Sequence, residues 1–76
     1  MKTLYQLLAD ILEIKPEDIT DETSPSNVAT WDSFNGLLMV AELESNFNVT
    51  FTFAEVRSVK CVKDIKDSLR LHGVDI

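Results

Sequence analysis

The sequence predicts an all-α fold: a four-helix bundle with three main helices, one short helix and a long first loop. Three observations predict it. Apolar residues recur at helical spacing in three separate segments. Only two glycines and two prolines interrupt the 76 residues, which argues against both disorder and a turn-rich β fold. One short stretch alternates like a strand, and no second stretch exists to pair with it. The length suits one domain, residues 1–76. A domain of this size buries only about 60% of its unfolded surface, so a deep catalytic cleft between lobes is not expected, nor is enzyme activity.

Each element follows from its residues. Leu4, Leu7, Leu8, Ile11 and Leu12 share one helical face, with Thr3 as candidate N-cap. Pro16 stops that helix or starts the next turn, because it pushes the residue before it out of helical geometry, so the first helix is expected over residues 3–14. From Lys15 to Trp31 both prolines and many Asp, Glu, Ser and Thr residues appear. A loop this long in a small domain is usually functional or disordered. The spaced apolar residues Ile19, Val28 and Trp31 predict an ordered loop pinned to the bundle. Asp32 then opens a second helix, whose expected inward stripe is Phe34, Leu37, Val40, Ala41 and Phe47, with Leu43 beside it. Val49, Phe51 and Phe53 form a connector into a short helical turn near Phe53–Val56. Ser58 is the expected N-cap of a last helix carrying Val59, Val62, Ile65 and Leu69, closed by Gly73.

Charge narrows the partners. The formal charge is −6. Residues 1–56 hold two cations against ten acids, a net of −8, and residues 57–76 hold five against three, a net of +2. A duplex binder would carry a basic stripe, so nucleic acid is not an expected partner. The acidic part could steer basic proteins toward itself. The single cysteine, Cys61, forms no internal disulfide and fits a reducing compartment. No apolar run reaches the roughly 20 residues of a membrane span, and the first residues lack a signal peptide's apolar core. The expected location is the cytoplasm, with no membrane partner, as a monomer.

Chemistry centres on Asp32-Ser33-Phe34, where the acidic loop meets the second helix. A helix N-terminus exposes its side chains and presents the positive end of the dipole, which favours a phosphate attached there. Alone, an Asp-Ser pair is simply what many helix starts show. The surroundings add more. Trp31-Asp32-Ser33-Phe34 is followed by Leu37, Leu38, the run Ala41-Glu42-Leu43-Glu44, and Phe47-Asn48-Val49. This pattern resembles the Asp-Ser-Leu signature of acyl carrier proteins and peptidyl carrier domains, the phosphopantetheine-binding carrier family. Pro16-Glu17-Asp18-Ile19-Thr20 with Asp21 resembles the segment opening that family's first loop. Ser58-Val59-Lys60-Cys61-Val62-Lys63-Asp64-Ile65 resembles the start of its last helix. The similarity runs in register along nearly the whole chain.

The resemblance implies a function. Ser33 matches the serine that receives 4′-phosphopantetheine from coenzyme A through a phosphopantetheinyl transferase. Asp32 matches the adjacent acid that assists that metal-dependent transfer. The arm's thiol then carries acyl, aminoacyl or polyketide intermediates as thioesters to ligase and synthase partners, as in fatty acid or polyketide biosynthesis. Partners of such proteins read the helix after the serine. Here that implies Phe34, Leu38, Glu42 and Glu44, with Glu55 on the short helix. Asn35 stands where fatty-acid-synthesis carriers commonly have an acid, Leu38 stands where another often follows, and the connector after Phe47 is shorter. These departures imply a specialised member with dedicated partners. The alternative is a helical interaction module, a degenerate carrier without a covalent arm, against which the intact Ser33 speaks.

Other candidates lead nowhere. His72 is the only histidine, placed to complement a helix dipole. No Gly-x-Ser-x-Gly turn accompanies Ser33, so a hydrolase triad is not expected. Cys61 lacks a base motif and reads as a residue at the core margin. No Cys/His cluster suggests a metal site. Trp31 and Phe34 read first as packing residues, and the resemblance implies that they also flank the arm.

Overall fold

A computed structural model describes residues 3–76. Four α-helices follow in order: α1, Leu4–Leu12; α2, Ser33–Phe47; α3, Phe53–Ser58; and α4, Val62–Leu71. A single 3-10 turn, Pro16–Asp18, interrupts the long first loop. The described residues contain no strand, as the unpaired alternation of Val49, Phe51 and Phe53 predicts.

The start of α1 is a reciprocal cap. Thr3 Oγ1 accepts from the Gln6 amide, and the Gln6 side chain accepts from the Thr3 amide. The helix stops earlier than expected, at Leu12. Glu13 turns left-handed at φ 58° and returns its N–H to the Ala9 carbonyl. Termination thus precedes Pro16, which instead starts the next turn, the other of the two expected roles.

The core is one cluster. Leu4, Leu7, Leu8 and Leu12 of α1 meet Met39 and Leu43 of α2 and Val62, Ile65 and Leu69 of α4, with Ile19 and Trp31 from the loop. The loop is therefore pinned as expected. It is also tied by polar contacts that apolar spacing does not reveal. Thr23 is buried, and its Oγ1 accepts from the Thr20 amide at 2.9 Å.

Two expectations are corrected. The inward face of α2 is not the stripe of Phe34, Leu37 and Ala41. Phe34 is 69% exposed, Leu37 65% and Leu38 40%, and Ala41 is also exposed. The buried positions are Met39 and Leu43, with Val40 and Phe47 half-buried beside them. The helix is apolar on opposite sides, so its periodicity supports two stripes and only packing selects one. The second correction is at α4. Its N-cap is Cys61, not Ser58, and Cys61 makes no side-chain cap. Carbonyls of the long loop take its first N–H groups instead: Val62 donates to Thr23 O at 2.9 Å and Lys63 to Asp21 O at 3.1 Å. Ser58 ends α3, donating its hydroxyl to the Glu55 carbonyl.

Candidate functional site

The loop delivers the chain to α2 through Trp31, which is 8% exposed and anchored in the core. Asp32 is then the N-cap. Its Oδ1 accepts from the Asn35 amide at 2.8 Å, and its carbonyl accepts the first full helical bond, from Gly36, at 2.8 Å. Ser33 is therefore the first helical residue, exposed, with its hydroxyl unused by the cap. The division of labour follows from position: the acid satisfies the helix end, and the serine beside it stays available. The N–H groups and dipole of this turn favour an anion there.

Beside Ser33 opens a cleft of about 450 Å³. Asp32, Ser33 and Leu37 stand among its lining residues, with Met39, Leu43 and Ile65 also in its wall. Its α3 wall includes Glu55 and Val56. The lining is mainly apolar with a few polar groups, the usual composition of a binding cleft. A long flexible group bonded to Ser33 would find both an anion-favouring attachment point and an apolar surface next to it. The residues present thus fit phosphopantetheine.

The expected partner-facing residues are spread differently. Phe34 and Leu38 lie on the exposed side of α2. Leu38 and Glu42 border a shallow groove with Leu7, Asp10 and Ile11 of α1. Glu42 is exposed, and Asn46 donates to its carbonyl and carboxylate. Glu44 is half-buried, its Oε2 accepting from the Phe51 amide at 2.8 Å. Glu55 completes the reciprocal cap of α3 with Thr52 and lies 2.7 Å from His72 Nε2. The cap holds its carboxyl below the usual range: the Thr52 amide acts most, offset in part by burial, with His72 adding to the shift. Two of the three acids therefore also hold the fold. His72 sits at the end of α4 as expected, edge-on to Phe51 with centroids 5.3 Å apart. Cys61 is half-buried at the start of α4. Among the described residues no group of His, Cys, Asp and Glu could hold a metal, and no helix is long and apolar enough to cross a membrane.

Sequence reasoning passed over Thr30 and the role of Asn35. The Thr30 hydroxyl donates to the Leu12 carbonyl at 2.6 Å, and the Asn35 side chain donates to the Thr30 carbonyl at 2.7 Å. Their signal was present in kind, since small polar residues flanking a helix start often bond backbone groups.

The structure is thus a small helical bundle with an exposed serine on the first turn of α2, beside an apolar cleft. Residues 2–69 match the family model of the phosphopantetheine attachment site. The chain is 24% identical over 71 residues to an acyl carrier protein from Syntrophus aciditrophicus (strain SB), spanning 93% of this chain and 89% of that one. Its fold is similar to a solved structure of a candidate acyl carrier protein from Mycobacterium tuberculosis, with a TM-score of 0.80, 22% identity, and coverage of 91% and 92%. The chain belongs to the phosphopantetheine-binding carrier protein family, whose cofactor is covalent 4′-phosphopantetheine.

Proposed function

We propose that Ser33 is the attachment residue, and that the chain carries acyl, aminoacyl or polyketide intermediates as thioesters for delivery to biosynthetic enzymes. One observation carries this reading: Ser33 is exposed at the first position of α2, next to its capping acid and at the edge of the apolar cleft. In the loading reaction the Ser33 oxygen bonds to the phosphorus that bears the pantetheine. The pyrophosphate bond of coenzyme A breaks, adenosine 3′,5′-bisphosphate leaves, and the hydroxyl proton passes to a base of the transferase. Bound there, the arm supplies the thiol that holds the cargo.

On this reading residues 1–76 form one carrier domain that performs no chemistry itself, acting in the cytoplasm as a monomer. Its partners are a phosphopantetheinyl transferase and a dedicated ligase or synthase. They would approach over Phe34 and Leu38, with Glu42, Glu44 and Glu55 supplying negative charge. The exposed apolar side of α2 supports a specialised carrier, because docking there uses apolar contact more than charge.

Intact-mass measurement after incubation with coenzyme A, magnesium and a broad-specificity transferase tests the proposal. One phosphopantetheine on the wild type and none on Ser33→Ala is the expected result. Loading of Ser33→Ala would show that another residue is the acceptor.

A further inference from the structure

Ser33 is presented by a turn that four hydrogen-bonded residues hold between two helices. The C-terminal carbonyls of a helix lack intrahelical partners, and that of Leu12, at the end of α1, is taken by the Thr30 hydroxyl at 2.6 Å. The carbonyl of the same Thr30 accepts from Asn35 Nδ2 at 2.7 Å. The amide of Asn35 in turn donates to Asp32 Oδ1 at 2.8 Å. The chain Leu12–Thr30–Asn35–Asp32 therefore brackets Trp31, Asp32 and Ser33 from both sides. Its Thr30 links are partly buried, where hydrogen bonds are stronger and costlier to break.

We infer that Thr30 and Asn35 are positioning residues for loading of Ser33, a role that rests on the Ser33 reading above. Asn35 is the third residue of α2, where an acid or Gln usually reaches back to the N-cap amide. Here the side chain reaches further, to a carbonyl two residues before the cap. A carbonyl only accepts, so the group facing it must donate. Asparagine can do this and a carboxylate cannot. The unusual residue at this position is thus matched to Thr30, and the pair couples the reactive turn to the end of α1. The Ser33 side chain has no hydrogen bond of its own to hold it, so the orientation of its oxygen depends on the backbone this bracket sets. Misplacing a reacting atom by about 1 Å can cost on the order of 100-fold in rate.

Steady-state loading with coenzyme A, magnesium and a broad-specificity phosphopantetheinyl transferase separates positioning from docking. Asn35→Ala, Asn35→Asp and Thr30→Val are expected to lower kcat by about tenfold, with KM for the carrier nearly unchanged. Thr30→Ser keeps the hydroxyl and is expected to restore the rate. Amide exchange at residues 33–36 is expected to quicken in the first three variants and not in Thr30→Ser. If Thr30→Val fails to fold by circular dichroism, the half-buried Asn35 carries the comparison. A wild-type kcat in Asn35→Ala, or in Asn35→Asp, overturns the inference. Loading of Ser33→Ala would instead overturn the choice of acceptor. In that event exchange at residues 33–36 still decides the bracket, and unchanged exchange in Asn35→Ala rejects it.

Discussion

Lys66 Nζ on α4 lies 2.7 Å from Asp21 Oδ1 in the long loop and 2.9 Å from the Tyr5 hydroxyl on α1. One ammonium thus joins three segments far apart in sequence. It sits beside the backbone bonds that cap α4 from the same loop. The loop's order is therefore a property of the whole bundle.

The first prediction concerns this ammonium. Its hydrogen bond holds the Asp21 carboxyl below its ordinary 3.8, and Asp21, with Tyr5, raises Lys66 above its ordinary 10.5. A depressed acid contributes stability that is present above its unfolded value and lost as pH falls through the folded one. A raised amine contributes below its unfolded value and loses it as pH rises through the folded one. The contribution is therefore full across the neutral range. Lys66→Met should lower the melting temperature by the same amount at about pH 5 and pH 9, and by less in strong acid. Added salt should narrow the gap. Melting curves over a pH series check this; a gap that widened in acid would contradict it.

The core sets a second prediction. Leu69 is fully buried, whereas Leu71, two residues on, is 84% exposed. Leu69→Ala should cost about 2–5 kcal/mol, a large share of the roughly 5–15 kcal/mol typical of a domain. Leu71→Ala should change stability by less than about 0.5 kcal/mol. Urea denaturation of both variants is the measurement. Equal losses would mean that α4 is rotated from the position described.

Asp32 and Ser33 can be told apart by what they do for folding. Asp32 makes the cap, so Asp32→Ala should cost about 1 kcal/mol. Ser33 is the exposed residue after it, so Ser33→Ala should cost less than about 0.5 kcal/mol while abolishing loading. A Ser33→Ala variant as unstable as Asp32→Ala would assign the cap to the wrong residue.

Which parts of this were legible in the sequence depends on the kind of signal. The amphipathic α1 and α4, the capping by Thr3 and the attachment of the loop through Ile19 and Trp31 follow from spacing and residue type. The facing of α2 does not, because Phe34, Leu37 and Ala41 make as good a stripe as Met39 and Leu43. Apolar residues lie on the outside of that helix as well as on its inside, and hydrophobicity alone cannot tell which side packs. The start of α4 was equally hidden, since carbonyls of Asp21 and Thr23 cap it from a segment distant in sequence, and backbone groups carry no sequence signature. The place of Ser33 at the start of α2 was legible from its neighbours, while the hydrogen bonds of Thr30 and Asn35 required tertiary contacts to see.

Glu42 and Glu44 should separate a docking charge from a structural one. Glu42→Lys alters an exposed carboxylate and should weaken a basic partner's binding, more so at low salt, with the fold intact. Glu44→Lys removes the acceptor of the partly buried Phe51 amide and should cost about 1–3 kcal/mol. Any loss of partner binding in that variant must be read against its stability. Titration calorimetry at two salt concentrations, beside denaturation of each variant, distinguishes the two acids. Salt-independent binding untouched by Glu42→Lys would remove charge from the docking account.

The last prediction concerns α3, which forms part of the cleft wall yet has no fully buried residue. Its start is held by Thr52 and Glu55, and Glu55 also reaches His72 at the end of α4. The Glu55 carboxyl, held below its ordinary 4.5, supports α3 above that value and ceases to do so as pH falls through its folded value. Amide exchange in α3, corrected for intrinsic rates, should therefore quicken in acid for the wild type. Glu55→Gln can still accept the Thr52 amide but carries no charge, so its exchange should be faster than wild type at neutral pH and flat through the acid range. His72→Gln should quicken exchange while leaving the acid dependence in place, because the cap with Thr52 survives. Wild-type exchange in Glu55→Ala would show instead that α3 is held by the packing of Phe51, Val56 and Val59 alone, and that the cleft wall does not respond to this carboxylate.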